Sequence, residues 1–232
     1  MSAPLRGFIP GQVWLKEYPV RFAGGRLLTR MTVLRSADCG VFLHSPVPSD
    51  DATRAAIVAL GPVRAIIAPS NCHHLFVGQA QRAFPSVPTF GIEGVVAKRP
   101  DLRFDALLGD EPPVHWAGQM DQVGIGNRIM REVVFLHRAS RTLIVTDLIE
   151  NFRDETPGTN RMLRATIKLL GMWGGPHPAP ELRWFTLHRE AARSALERIL
   201  SWDFDQIVLA HGEPILREPK AAIRKAWRWL LR

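Results

Sequence analysis

The chain has 232 residues, 46% of them hydrophobic and 22% charged, which suits one globular domain able to bury a sizeable core. No run approaches the about 20 apolar residues of a membrane span, and two cysteines, Cys39 and Cys72, make no disulfide framework. The net charge is +8, concentrated only near the end, at Arg217, Lys220, Arg224, Lys225, Arg228 and Arg232. Such a surface can attract RNA, anionic lipid or anionic metabolites, or simply be a solvated helix face. Zinc-finger spacing, a helix-turn-helix signature and aromatic-basic stacking motifs are all missing, so a nucleic-acid partner is not expected. Residues Met1 to Gly7 lack the basic-then-apolar layout of a secretory signal, and a cytoplasmic protein is the expectation.

Residues 12–18 alternate well enough for a first strand. The runs 31–35 and 40–44 flank the polar turn Ser36-Ala37-Asp38-Cys39 and predict a hairpin. Ser49-Asp50-Asp51 supplies a cap and first-turn acids for a helix to about Leu60, which Gly61-Pro62 breaks. The apolar run Val63–Ile67 predicts a buried strand ending at Ala68-Pro69-Ser70-Asn71-Cys72-His73-His74, and 75–84 has helical spacing. Residues 89–92 form a short strand, and 93–121 read as connections around one short helix. Runs at 122–125, 132–136 and 142–146 predict an antiparallel meander, with 137–141 as its tight link.

Thr159-Asn160 can cap a helix over 161–170, whereas 171–180 is too rich in Pro and Gly for regular structure. This 153–186 helix-loop segment reads as an insertion in a single domain spanning 1–232. It suits a cap over a site, a surface that docks a partner or touches a membrane, or ordinary core. A helix over 188–201, a buried strand over 206–210 ending at His211-Gly212, and a helix over 218–231 close the chain.

Four ligand-type residues fall just past apolar strands: His73, His74, Asp147 and His211. If those strands are neighbours, three imidazoles and a carboxylate converge within metal-bond reach, about 2.0–2.2 Å per ligand. The alternative is a set of strand-end polar residues facing water.

These blocks resemble the metallo-β-lactamase-fold superfamily. Ile66 to His74 stands where that superfamily carries its H-x-H-x-D-H motif, and Thr142 to Leu148 is similar to the strand ending in its bridging aspartate. Ile207 to Pro214 resembles the late strand and G-H-G-x-P turn that carry its last histidine ligand. The His-His pair, Glu132-Val133-Val134-Phe135-Leu136-His137 and Trp202-Asp203-Phe204-Asp205 are similar to a divergent branch known as a domain of unknown function. The resemblance implies an αββα sandwich: two mixed β-sheets face to face, helices outside and ligands at one edge.

Registered on His74, the motif's early histidines fall at Pro69 and Asn71, and its aspartate position holds His73. The region of the next ligand histidine, about Gly124–Arg131, contains no histidine. One of the superfamily's two metal sites is therefore emptied, and the other keeps His73, His74, Asp147 and His211. The resemblance implies one divalent metal ion, zinc foremost, with iron or manganese as alternatives. It implies hydrolysis of a small ester, thioester or lactone substrate by one metal-bound hydroxide, with Asp147, His137 and Glu132 as catalytic or orienting groups. Two alternatives stay open: an inactive binding or scaffold protein on the same fold, and a nucleic-acid-processing enzyme. Four engaged ligands would close the site and make it structural.

Overall fold

In the computed structural model, which describes residues 3–22, 25–126, 130–184 and 188–232, the first half of the chain builds one seven-stranded sheet. Its elements are β1 (Arg6–Ile9), β2 (Val13–Phe22), β3 (Gly25–Arg35), β4 (Val41–His44), α1 (Asp51–Leu60), β5 (Val63–Ala68), α2 (Val77–Ala83), β6 (Thr89–Gly91), α3 (Glu93–Lys98) and β7 (Ala106–Leu107). The strands lie in sequence order, antiparallel from β1 to β4 and parallel from β4 to β7. The change of direction follows from the connections: a tight turn joins β3 to β4, whereas α1 carries the chain back before β5. That helix starts where Asp50 accepts a hydrogen bond from the Thr53 N–H, 2.8 Å.

The second sheet has the order β13-β10-β9-β8. It comes from β8 (Met120–Gly126), β9 (Arg131–His137), β10 (Thr142–Ile144) and, much later, β13 (Gln206–Val208). The meander is antiparallel as expected, and β13 joins β10 in parallel. Between them come β11 (Glu150–Phe152), α4 (Arg161–Leu169), β12 (Gly175–His177), α5 (Pro180–Trp184) and α6 (Arg189–Ser201), with α7 (Pro219–Ala226) after β13.

Alternation along β9 shows where the layers sit. Val133 and Phe135 enter the apolar core shared with the first sheet, whereas Val134 and Leu136 join the cluster under α6 and α7. The first core holds Val33, Phe42, Ile66 and Trp116; the second holds Leu196, Ile199, Ile223 and Trp227. Two sheets share one core and helices cover their outer faces, which is the predicted αββα sandwich. No helix among the described residues is long and apolar enough to cross a membrane.

Two expectations need correction, and a strand lies where none was expected. Residues 6–9 form β1, although Arg-Gly-Phe-Ile carries no strand pattern, because β2 offers it a free edge. The Pro/Gly-rich stretch 171–180 contains β12, which pairs with β11 because Pro176 sits on a short edge ladder that needs few N–H donors. The last helix stops at Ala226 rather than 231, with Trp227 tucked under it as its C-cap. The last two residues of the 153–186 segment, 185 and 186, lie outside the described residues.

Candidate metal centre

Three strand ends deliver three side chains to one edge of the sandwich. After β5, the Ser70 carbonyl and hydroxyl both accept from the His73 N–H, each at 3.2 Å, folding residues 70–73 into a turn. The turn is fastened to the second sheet, because the Val133 N–H donates to the Pro69 carbonyl, 2.8 Å, and the Asn71 N–H to the Arg131 carbonyl, 3.1 Å. Asp147 follows β10 and His211 follows β13, the two parallel neighbours.

The ligand atoms of His73, Asp147 and His211 all lie within 4.8 Å of one another, and all three residues are buried. Nε2 of His73 and of His211 stand 3.4 and 3.7 Å from Asp147 Oδ1. Two ligands about 2.1 Å from a tetrahedral ion stand about 3.4 Å apart, so the spacing matches a shared metal. Asp147 Oδ2 is buried without a hydrogen-bond partner among the described residues, a position a cation would satisfy.

Each imidazole is oriented by its far nitrogen. His211 Nδ1 donates to the Leu28 carbonyl, 2.9 Å, which leaves Nε2 with a free lone pair toward Asp147. His73 Nδ1 bonds the Ser45 hydroxyl, 2.8 Å. Burial, then the nearby His73, push His211 down to about 4. Burial also opposes charge on His73, but the Asp147 carboxylate and then Glu132 outweigh it and raise its pKa. Burial raises Asp147 in turn, and His73, His211 and the Ser70 hydroxyl overcome that and keep it ionised. His73 and Asp147 thus each favour the charged form of the other, and a cation held between them would favour the Asp147 carboxylate in the same way.

His74 is not in this group. In the tight turn, consecutive side chains leave in different directions, and the His74 ring lies near Arg99 and Lys98 of the α3 region. Burial first, then those cations, keep it neutral. Its backbone carbonyl accepts from Arg99 Nη1 at 3.5 Å. Of the four residues expected to converge, the structure brings together His73, Asp147 and His211.

His137 is also elsewhere. It ends β9 five residues beyond Glu132, about 17 Å along an extended strand. Nε2 donates to the Arg35 carbonyl, 2.8 Å, and Nδ1 meets the Ser140 hydroxyl, 2.7 Å. Burial keeps it neutral, and it pins the hairpin to the first sheet. Glu132 is beside the centre but faces backbone. It accepts from the N–H groups of Thr146, Asp147 and Leu148, at 3.1, 2.6 and 2.9 Å, and from the Thr146 hydroxyl, 2.6 Å. Burial, then Asp147, push it up to about 7 against those hydrogen bonds.

Three supporting residues escaped the sequence reading. Ser45 carries no motif and sits at φ +53°. Ser70 is an unremarked position of the divergent motif. Buried Arg30 binds the carbonyls of Leu209 and Gly212, the latter at 2.9 Å, and Glu17 at 2.7 Å, so it clamps the His211 turn. Arg30 is one of three arginines in β3, with Arg26 and Arg35, so the sequence did not single it out. Glu150, half-buried near Asp147, Glu181 and Glu132, has its pKa raised well above the usual range by burial and those carboxylates.

Gly212 closes the turn at φ +89°, and a Cβ there would stand 2.3 Å from the Asn151 carbonyl oxygen. That atom accepts from the Glu213 N–H at 2.8 Å and cannot retreat freely. Gly212→Ala is expected to cost about 1–3 kcal/mol in backbone strain alone, more with the overlap, and to displace His211. Chemical denaturation with a parallel metal titration checks both; unchanged midpoint and affinity would refute the account.

No family model and no curated protein matches the sequence. Solved structures do match in fold. DIM-1 metallo-β-lactamase exposed to ceftazidime superposes with a TM-score of 0.66 at 13% identity, over 99% of each chain. A metallo-β-lactamase from Hirschia baltica gives 0.62 at 13% identity, again over 99% of each chain. FIM-1 from Pseudomonas aeruginosa, in its mono-zinc form, gives 0.62 at 14% identity, over 99% of this chain and 98% of that one. The chain has the metallo-β-lactamase fold.

Proposed function

We propose that the chain is a hydrolase using one divalent metal ion, zinc foremost and iron or manganese next, on a small ester, thioester or lactone. The convergence of His73, Asp147 and His211, with Asp147 Oδ2 unpartnered among the described residues, carries this reading. Three protein ligands leave a four-coordinate ion one open position, as in catalytic rather than closed structural sites. One ion rather than two is supported by what occupies the other histidine positions of the motif. Pro69 has no ligand atom and gives its carbonyl to β9, and the Asn71 amide lies against Gly94 at the start of α3. The mono-zinc form of FIM-1 is a precedent for one ion on this fold.

When bound, the ion supplies Lewis acidity and lowers the pKa of a water toward about 7. The chain's own contribution is orientation. Leu28 and Ser45 fix the two rings, Arg30 holds the His211 turn, and Glu132 holds the Asp147 turn. The ladder β11–β12, beside Gly212, makes the 153–184 segment a wall of the substrate pocket in this reading.

The test is metal content by elemental mass spectrometry, followed by an ester, thioester and lactone panel with and without chelation. Turnover that disappears on chelation and returns with one equivalent of metal is expected. A metal-loaded protein that turns over no panel member would favour the non-catalytic binding protein instead.

A further inference from the structure

Helix α4 presents two adjoining stripes that no described residue covers. Helical spacing puts Met162, Ala165, Thr166 and Leu169 on one face, and all are exposed, Met162 at 50% and Leu169 at 88%. Leu170, 40% exposed, extends that face. Leu163 and Ile167 point the other way, into a small cluster with Leu27, Phe152 and Met172, so the helix is anchored without its outer residues. Asn160 caps it by accepting from the Leu163 N–H, 3.0 Å. The charged residues of the helix, Arg161, Arg164 and Lys168, are all basic and border the apolar face. Arg164 and Lys168 lie over the Trp173 ring, 5.3 and 5.1 Å from its centroid.

We propose that α4 is a docking surface for an anionic lipid bilayer. Met162, Leu169 and Leu170 enter the boundary between headgroups and acyl chains, and Arg161, Arg164 and Lys168 meet lipid phosphates. Charge complementarity selects this occupant: the helix carries three basic residues and no acidic one, Asp154 beside Trp173 offsets only one of them, and the chain has a net charge of +8. Its apolar members are flexible, unbranched or γ-branched side chains on a convex helix, suited to a fluid surface rather than a shaped groove. One short helix gives peripheral, salt-sensitive attachment rather than insertion.

The test is flotation of the full-length protein with vesicles of phosphatidylcholine alone or mixed with phosphatidylglycerol. The protein is expected to float with the mixed vesicles only, and to be released by high salt. The Met162→Ser/Leu169→Ser and Arg161→Glu/Lys168→Glu double variants are each expected to bind about tenfold or more weakly. Both keep wild-type thermal stability, since these side chains are exposed. Failure of the wild type to float overturns the proposal. Both double variants floating like the wild type also overturns it, and assigns the contact to the basic C-terminal segment. A wild type that stays with the aqueous phase but dimerises, with the serine variant monomeric, overturns it in favour of a second copy.

Discussion

His73→Ala is expected to leave the purified protein without metal, while its neighbour His74→Ala keeps close to a full equivalent. The two rings are adjacent in sequence and nearly equal in burial, 7% and 9% exposed, so composition and solvent access cannot separate them. Geometry separates them. His73 Nε2 stands 3.4 Å from Asp147 Oδ1, and the His74 ring lies in the field of Arg99 and Lys98, which repels a cation. Losing His73 removes one of three ligands, so the fall in affinity should exceed the roughly 10–100-fold that accompanies loss of a supporting hydrogen bond. His73→Ala also leaves Asp147 buried without its cationic partner, so thermal unfolding must be followed alongside. The readout is metal per chain by elemental mass spectrometry on samples that retain a cooperative transition. Equal retention by both variants, or loss in His74→Ala alone, would refute the three-ligand site.

That pair marks where the sequence stops being informative. The placement of His73, Asp147 and His211 at strand ends was legible, because short apolar runs ending in His, Asp and His say where each chain segment leaves the core. Which of two neighbouring histidines faces inward depends on backbone torsions in the 70–73 turn, and those are set by Ser70 and by the pairing of Pro69 with β9. Local signals elsewhere sufficed. Asp50 and Asn160 cap the helices they precede, and the β3–β4 hairpin follows its polar turn. Elements with no local signal needed a partner: β1 exists because β2 has an edge, and β12 because β11 does.

The roles of Ser45, Arg30 and His137 were illegible for a related reason. Each acts through a contact far away in sequence: Ser45 on His73, Arg30 on Leu209 and Gly212, His137 on Arg35. Period and composition report which face a residue takes, not which remote carbonyl it meets. His137 was a candidate orienter or proton carrier alongside Glu132, yet a strand of seven residues has two ends, and only the Glu132 end is beside the candidate metal centre.

Glu132 gives the second large expected effect, and its two variants separate orientation from proton transfer. Glu132→Ala strands three buried N–H groups, those of Thr146, Asp147 and Leu148, at about 1–3 kcal/mol each when unsatisfied. Removing a like charge near Asp147 offsets part of that, since Asp147 is one cause of the raised Glu132 pKa. Several stranded donors outweigh one relieved repulsion, so a net loss of at least about 2 kcal/mol is expected. Metal affinity should fall about 10–100-fold as Asp147 loses its support. Glu132→Gln can place its amide oxygen where Oε2 stands, keeping the Asp147 and Leu148 N–H groups and the Thr146 hydroxyl satisfied, while its NH2 faces the Thr146 N–H as donor against donor at a cost of about 1–3 kcal/mol. That variant is expected to fold, to hold metal near the wild-type level and to keep turnover. A proton carrier would behave differently: Glu132→Gln would bind metal normally and lose kcat by about 100-fold or more. Metal titration and kcat measured on the same samples decide between them. The hydrogen bonds favour orientation, because among the described residues the Glu132 carboxylate is bonded by the Thr146–Leu148 turn and not from the face where His73, Asp147 and His211 converge.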